Sequence, residues 1–237
     1  MSGPIFCVVD SETTGTDPSK DQVIELGFAL TDLDAWIAGD GILVSSTVPI
    51  TPEASAVHHL VDEDLVGAPA LADTLADLRG SSGWRDAVAY VAHNAPFDRS
   101  FLPQLDDKPW LDTLRMAMRY LPGLPSYGNQ ALRYRLHLDV PRDIGAHRAE
   151  GDCIATAALL RYLLAGPARE DFERLGVEAF AAHVDSPLVL QTCRFGKHAG
   201  RPWAEVPRDY LSWLIRTGGF DQDTEHTAKH FLNGGRA

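Results

Sequence analysis

Asp10 and Glu12 stand two residues apart in VVDSETTGTD (8–17), where an apolar run ends. In an extended strand, residues i and i+2 face the same side, so both carboxylates point one way beside a hydrophobic core. Asp98 lies one turn beyond AVAYVAHN (87–94), and His147 and Asp152 open AHRAEGDC (146–153). Each acid alone reads as an ordinary strand-end or first-turn carboxylate, which a helix N-terminus favours. Together they spell D-x-E, H-N-x-x-F-D and H-x4-D, each at the edge of an apolar element. Two carboxylates ~4 Å apart repel by roughly 4 kcal/mol at an effective dielectric near 20. Four in one pocket must therefore take up protons or bind cations. An all-oxygen donor set suits hard ions, so two Mg²⁺ are expected, with Mn²⁺ as a substitute. Two such ions can hold a phosphodiester, one activating water and the other stabilising the leaving oxygen. His147, able to titrate near neutral pH, is the natural general base for that water.

The elements that must position these groups are legible in outline. Residues 4–10, 22–31 and 41–50 read as strands of one meander, with turn formers Gly15, Asp17 and Pro18 between the first two. A short helical stretch follows Pro52, and leucines at 71, 75 and 78 mark a helix over 70–79. The run at 87–94 reads as a buried strand, followed by Asn94 as N-cap and Pro96 in the first turn of a helix. Further helices fit 112–121, 127–137, 147–164 and 169–183. Strands followed by strand–helix alternation predict an α/β domain, a mixed sheet flanked by helices.

Bulk properties exclude several classes. The chain has 237 residues, 45% of them hydrophobic and 23% charged, which suits a soluble globular protein with a full core. No apolar run reaches the length of a membrane span, and MSGPIFCVVD lacks a secretory n-region and h-region. Cys7, Cys153 and Cys193 form no CxxC pair and read as reduced small hydrophobes in a cytoplasmic protein. A net charge of −12 argues against broad adhesion to nucleic acid or to an anionic membrane. A nucleic-acid enzyme of this charge would grip a short stretch in one cleft, its acids offset by metal.

VVDSETTG, VAHNAPFD and AHRAEGD resemble the three motifs of the DEDD (DnaQ-like) 3′→5′ exonucleases, whose fold is RNase H-like. His147, five residues before Asp152, is similar to the histidine branch; Arg148 stands where the tyrosine branch carries tyrosine. YVAHNAPFDRSFLP, LRMAMRYLPG, AHRAEGDCIATAALL and FGKHAGRPWAEVPRDYLSWL resemble the bacterial exodeoxyribonuclease X family over almost the whole chain, although the DPSKD loop looks longer here. The resemblance implies a metal-dependent 3′→5′ exodeoxyribonuclease acting on DNA 3′ ends, single-stranded or duplex, and releasing mononucleotides. It implies Asp10, Glu12, Asp98 and Asp152 as metal ligands, Thr13, Thr14 and Gly15 beside the terminal nucleotide, and Val57, His58 and Phe97 near its base. Gly15 is expected to turn with positive φ and admit the substrate closely. It also implies repair or replication proteins as partners. The same chemistry on RNA, as in RNase T or oligoribonuclease, a polymerase proofreading subunit, and a non-catalytic nucleic-acid-binding protein are the alternatives.

The domain organisation expected is an exonuclease domain at 1–168, a helical linker at 169–187 and a small α+β module at 188–237. In that module Lys197, His198 and Arg201 share one turn with Trp203, Tyr210 and Trp213 nearby. A basic turn with aromatics can hold nucleic acid, so Lys197 and Arg201 are candidate DNA contacts. Tyr210 and Trp213 are expected in the core, because so small a unit has little else to bury.

Overall fold

Five strands form one mixed sheet in the order β3-β2-β1-β4-β5. They are β1 (Phe6–Thr13), β2 (Val23–Thr31), β3 (Trp36–Leu43), β4 (Ala89–Ala92) and β5 (Trp110–Asp112). The first three run antiparallel as a meander, and β4 and β5 add to β1 in parallel. The computed structural model describes residues 3–141 and 148–235.

The third strand is not the expected 41–50. It starts at Trp36 because Asp32 Oδ1 accepts from the backbone N–H of Asp34 and Ala35, both at 2.8 Å, closing a tight turn straight after β2. Residues 46 and 47 are instead held by Gln22, whose Oε1 accepts from Ser46 Oγ and Thr47 N at 2.9 Å each.

The chain packs as two compact units, Met1–Tyr120 with Ser126–Val184, and Leu121–Pro125 with Asp185–Ala237. The first unit carries α1 (Pro52–His58), α2 (Leu71–Gly80), α3 (Ser82–Asp86), α4 (Ala95–Phe101), α5 (Thr113–Tyr120), α6 (Asn129–Arg135), α7 (Ala149–Ala165), α8 (Arg169–Leu175) and α9 (Val177–Asp185). The single helix expected over 169–183 is two, because Gly176 takes φ 73° between them.

The two faces of the sheet are covered differently. On one, Cys7 and Val9 of β1, Leu26 and Leu30 of β2 and Tyr90 of β4 pack with Leu75 of α2, Trp84 of α3 and Phe101 of α4. Four rings, Phe28, Trp84, Tyr90 and Trp110, follow one another with centroids 5.9, 6.0 and 5.5 Å apart. On the other face α7 lies across β1, β2 and β3, and its buried side is rich in small residues such as Ala149, Gly151, Cys153 and Ala157. Asp10, Gly27 and Gly41 are neighbours in one row across β1, β2 and β3. A Cβ at Gly27 would overlap the Ala149 backbone, and one at Gly41 would sit 3.2 Å from Glu150 Cβ. The glycines let the start of α7 rest directly on the strands.

The second unit has its own core of Cys193, Trp203, Val206, Tyr210, Leu211, Leu214, Ala228 and Phe231. Helices α10 (Arg208–Thr217) and α11 (Gln222–Leu232) pack against each other. Asp223 and Thr227 of α11 accept from Leu188 N and Leu190 N at 2.8 and 2.9 Å, which ties down the segment entering the unit. Among the described residues, no helix is long and apolar enough to cross a membrane.

Candidate active site

One carboxylate oxygen from each of Asp10, Glu12 and Asp152 lies within 4.8 Å of the others. Two features of the chain bring them there. Alternation along β1 sends Asp10 and Glu12 to the face that α7 covers. Gly27, opposite Asp10, lets α7 descend until Asp152, one turn beyond Ala149, reaches the strand. All three acids are half-buried.

Asp98 arrives from α4. Its carboxylate is 3% exposed and accepts from Ser11 Oγ at 2.8 Å. Ser11 sits between Asp10 and Glu12 and points to the opposite side of the strand. Asn94 occupies the N-cap position of α4, but its side chain makes no capping bond. It turns the chain instead at φ 78°, while its N–H donates to Asp112 Oδ1 at 3.1 Å.

The electrostatics are those of acids that repel one another. Burial, and then repulsion from Asp98, Asp152, Glu12 and Glu25, hold Asp10 well above the usual carboxylate range. Glu12 is pushed up to about 8 by burial and by Asp152, Glu25 and Asp98. Burial raises Asp98 to about 7, against the lowering effect of the Ser11 bond. Such a set gains a proton or a cation. Among the described residues its donors are carboxylate oxygens, the chemistry of a hard divalent ion, so these residues fit the metal expected of them.

Several supporting residues went unread in the sequence. Gln130 Nε2 donates to Asp152 Oδ1 at 3.1 Å, and Arg133 Nη1 fixes the Gln130 carbonyl at 3.1 Å. Asn129 Nδ2 donates to Asp152 O at 3.1 Å and to Thr156 Oγ1 at 3.0 Å. Glu25 is 1% exposed, lies opposite Glu12 in the β1–β2 register, and receives Arg148 through Nε at 3.1 Å and Nη2 at 2.7 Å. Ala149 N also donates to Glu25, at 3.2 Å. One anchor thus holds both the guanidinium and the first turn of α7. Its signal was available: a lone acid inside VIELGFAL must find a partner when buried. Gln130 and Asn129 carry no such signal, since amides are unremarkable on a short helix.

The expected substrate residues divide into engaged and open groups. Thr13 Oγ1 donates to Gly15 O at 2.6 Å, and Thr14 Oγ1 donates to Asp21 Oδ1 at 3.0 Å. Thr14 O accepts from both Thr51 N and Thr51 Oγ1 at 3.0 Å. Gly15 does not have the positive φ expected of it. Its lack of a Cβ makes room for the Asp21 carboxylate, which also accepts from Asp17 N at 2.9 Å and closes the DPSKD loop. Val57 is 49% exposed, whereas His58 is buried with Nδ1 accepting from Leu60 N at 3.0 Å. Phe97 is half-buried, its ring 5.1 Å from that of Phe101. His93 lies between Thr113 Oγ1 and Tyr127 O at 3.0 and 2.8 Å. His147 lies outside the described residues. Lys197 and Arg201 are exposed in the second unit.

Comparison with known proteins adds an independent line. Residues 7–160 match the family model described as exonuclease, RNase_T. The chain is 31% identical to exodeoxyribonuclease 10 of Escherichia coli K12, over 95% of this chain and 97% of that protein. It is 30% identical to DNA polymerase III subunit epsilon of Treponema pallidum, over 78% of this chain and 85% of that one. Among solved structures it is similar to exonuclease X in complex with 5′ overhanging duplex DNA. There the TM-score is 0.59 at 31% identity, covering 68% of this chain and 91% of that one. The fold is shared with E. coli exonuclease I bound to a dT13 oligonucleotide, at TM-score 0.59 and 19% identity, over 73% of this chain and 43% of that one.

Proposed function

The chain belongs to the RNase_T exonuclease family, and we propose that it is a 3′→5′ exodeoxyribonuclease releasing nucleoside 5′-monophosphates from DNA 3′ ends, single-stranded or duplex. The observation that carries this reading is the convergence of the Asp10, Glu12 and Asp152 carboxylate oxygens within 4.8 Å. Two divalent ions, Mg²⁺ or Mn²⁺ in its place, would supply charge neutralisation for the phosphodiester, an activated water and relief of charge on the leaving 3′ oxygen. Asp10 and Glu12 hold that site from β1 and Asp152 closes it from α7. Asp98 of α4, the fourth expected ligand, stands outside this three-oxygen group, held by Ser11, and would join it when metal binds. Gln130 and Glu25 keep Asp152 and its helix in place. His147 accepts the proton of the attacking water, a contribution of ~10²–10⁴ in rate.

Thr13, Thr14 and Gly15 form the wall beside the terminal nucleotide. The threonine hydroxyls stiffen that wall through the bonds they make within the protein. Val57 offers an exposed apolar contact to the terminal base, with His58 packed behind it and Phe97 at the border of the core. DNA fits this member better than RNA because the similarity to exodeoxyribonuclease 10 runs through both units. The reading extends to a cytoplasmic enzyme of DNA repair, with repair or replication proteins as partners. Its three free, buried cysteines suit a reducing compartment.

The test is a digest of 5′-labelled single-stranded DNA and RNA of equal sequence, with Mg²⁺ and with EDTA. A Mg²⁺-dependent ladder shortening from the DNA 3′ end is expected. Preference for RNA would replace the substrate and keep the chemistry, and cleavage of neither strand would overturn the proposal.

A further inference from the structure

The second unit differs in charge from the rest of the chain. Residues 185–237 carry seven Lys or Arg against six Asp or Glu, a net +1 within a protein of net −12. The balance is more lopsided between 194 and 216, where Arg194, Lys197, Arg201, Arg208 and Arg216 face only Glu205 and Asp209. Glu205 gives Arg201 its backbone carbonyl at 3.4 Å, and Asp209 is used by the Tyr210 N–H at 2.8 Å.

An aromatic step lies beside Lys197. The rings of Tyr210 and Trp213 stack with centroids 5.2 Å apart and planes at 28°. Lys197 Nζ sits 5.3 Å over the Tyr210 ring, and His198 meets its edge at 4.6 Å. A Cβ at Gly196 would fall 2.5 Å from the Tyr210 hydroxyl, so the FGK turn is fitted closely onto that ring. Trp213 nevertheless remains 40% exposed, while Trp203 of the same unit is 1% exposed. A unit this small is short of apolar surface to bury. It leaves Trp213 40% exposed against the Tyr210 ring that carries Lys197, contrary to the core position expected for Trp213.

We propose that the Lys197–Tyr210–Trp213 surface of the second unit is a binding site for single-stranded nucleic acid. A base stacks on Trp213, and Lys197 and Arg201 neutralise flanking phosphates. Lys197 at the ring and the excess of cations over 194–216 match a polyanion, the open ring matches a base, and stacking with backbone contacts serves any sequence. The proposal rests on the nuclease reading only for the identity of the strand as DNA.

The experiment uses the full-length protein in EDTA, where no cleavage occurs, and the fluorescence anisotropy of a labelled oligo-dT of about 20 nucleotides. Trp213→Ala is expected to weaken binding about tenfold, and Trp213→Phe to restore most of it, because a ring still stacks. Lys197→Gln and Arg201→Gln should each lower the slope of log affinity against log salt by about 0.7. Melting temperatures of Lys197→Gln and Arg201→Gln should stay at the wild-type value, while Trp213→Ala, which gives up ring contacts with Tyr210 and Phe220, should melt somewhat lower and Trp213→Phe less so. Wild-type affinity in Trp213→Ala would overturn the proposal. Heparin competing as strongly with Trp213→Ala as with the wild type, alongside unchanged oligo-dT binding, would reduce the surface to a charge patch and also overturn it. Binding lost in Trp213→Ala while the wild type cleaves nothing in Mg²⁺ would uphold this site and defeat the nuclease reading instead.

Discussion

The two faces of the sheet solve opposite problems. The face under α2, α3 and α4 is filled with large side chains, Trp84, Tyr90, Trp110 and Leu75 among them, and its purpose is volume. The face under α7 is lined with glycine and alanine, and the helix sits so low that Gly27 has no room for a methyl group. Proximity there serves chemistry: it brings Asp152 to Asp10 and Glu12 at the cost of packing repelling carboxylates together. Large residues hold the domain together, and small ones assemble the site.

If that division is right, substitutions on the two faces should separate stability from turnover. Asp10→Asn should abolish Mg²⁺-dependent cleavage and yet raise the melting temperature in EDTA, because the folded state no longer has to protonate this buried carboxyl or bear its charge. A drop in that temperature would contradict the repulsion. Gly27→Val should cost about a hundredfold in kcat/KM, the penalty of moving a reacting group by ~1 Å, together with about 1–3 kcal/mol of stability from overpacking. Full activity would mean that α7 need not lie so close. Gln130→Ala should weaken Mn²⁺ binding, followed by titration calorimetry, by about tenfold, as loss of an outer hydrogen bond to a ligand does. The melting temperature should barely change.

The pH dependence sharpens the same contrast. Glu12 and Asp98 are held up to about 8 and about 7, above their values in the unfolded chain. Without a cation the folded state therefore binds more protons than the unfolded one, and stability falls as pH rises through that window. A bound cation reverses the preference, so the rise in melting temperature caused by Mg²⁺ should grow between about pH 5.5 and about pH 8. A rise independent of pH would remove the acids from the cation site. Smallest in its effect on turnover, Leu75→Ala on the other face should cost about 2–5 kcal/mol of stability and leave kcat unchanged below the melting transition. A matching loss of kcat would break the comparison.

The sequence made the three converging acids legible because their spacing is distinctive, D-x-E within one strand and an acid in the first turn of an apolar helix. It hid what lies between them. WIAGDG reads as a poor strand, since Gly39, Asp40 and Gly41 lower β propensity. Those residues nevertheless pair along β2, and Gly41 lies under Glu150. WLD was too short to register as β5. The positive φ expected of Gly15 is absent, and what its missing Cβ gives is space for Asp21. Gln130 and Ser11 escaped because a single amide or hydroxyl announces nothing until its partner is known.

The bond from Ser11 to Asp98 has a mechanical consequence. Three successive residues of one strand are the common datum for two layers: α7 is referenced to Asp10 and Glu12 from above, and α4 to Ser11 from below. A slip of β1 by one position would exchange the sides and unseat both layers at once. Insertions or deletions within 6–12 should therefore be far less tolerable than equal changes in the loop at 16–20, which can change length without moving that datum.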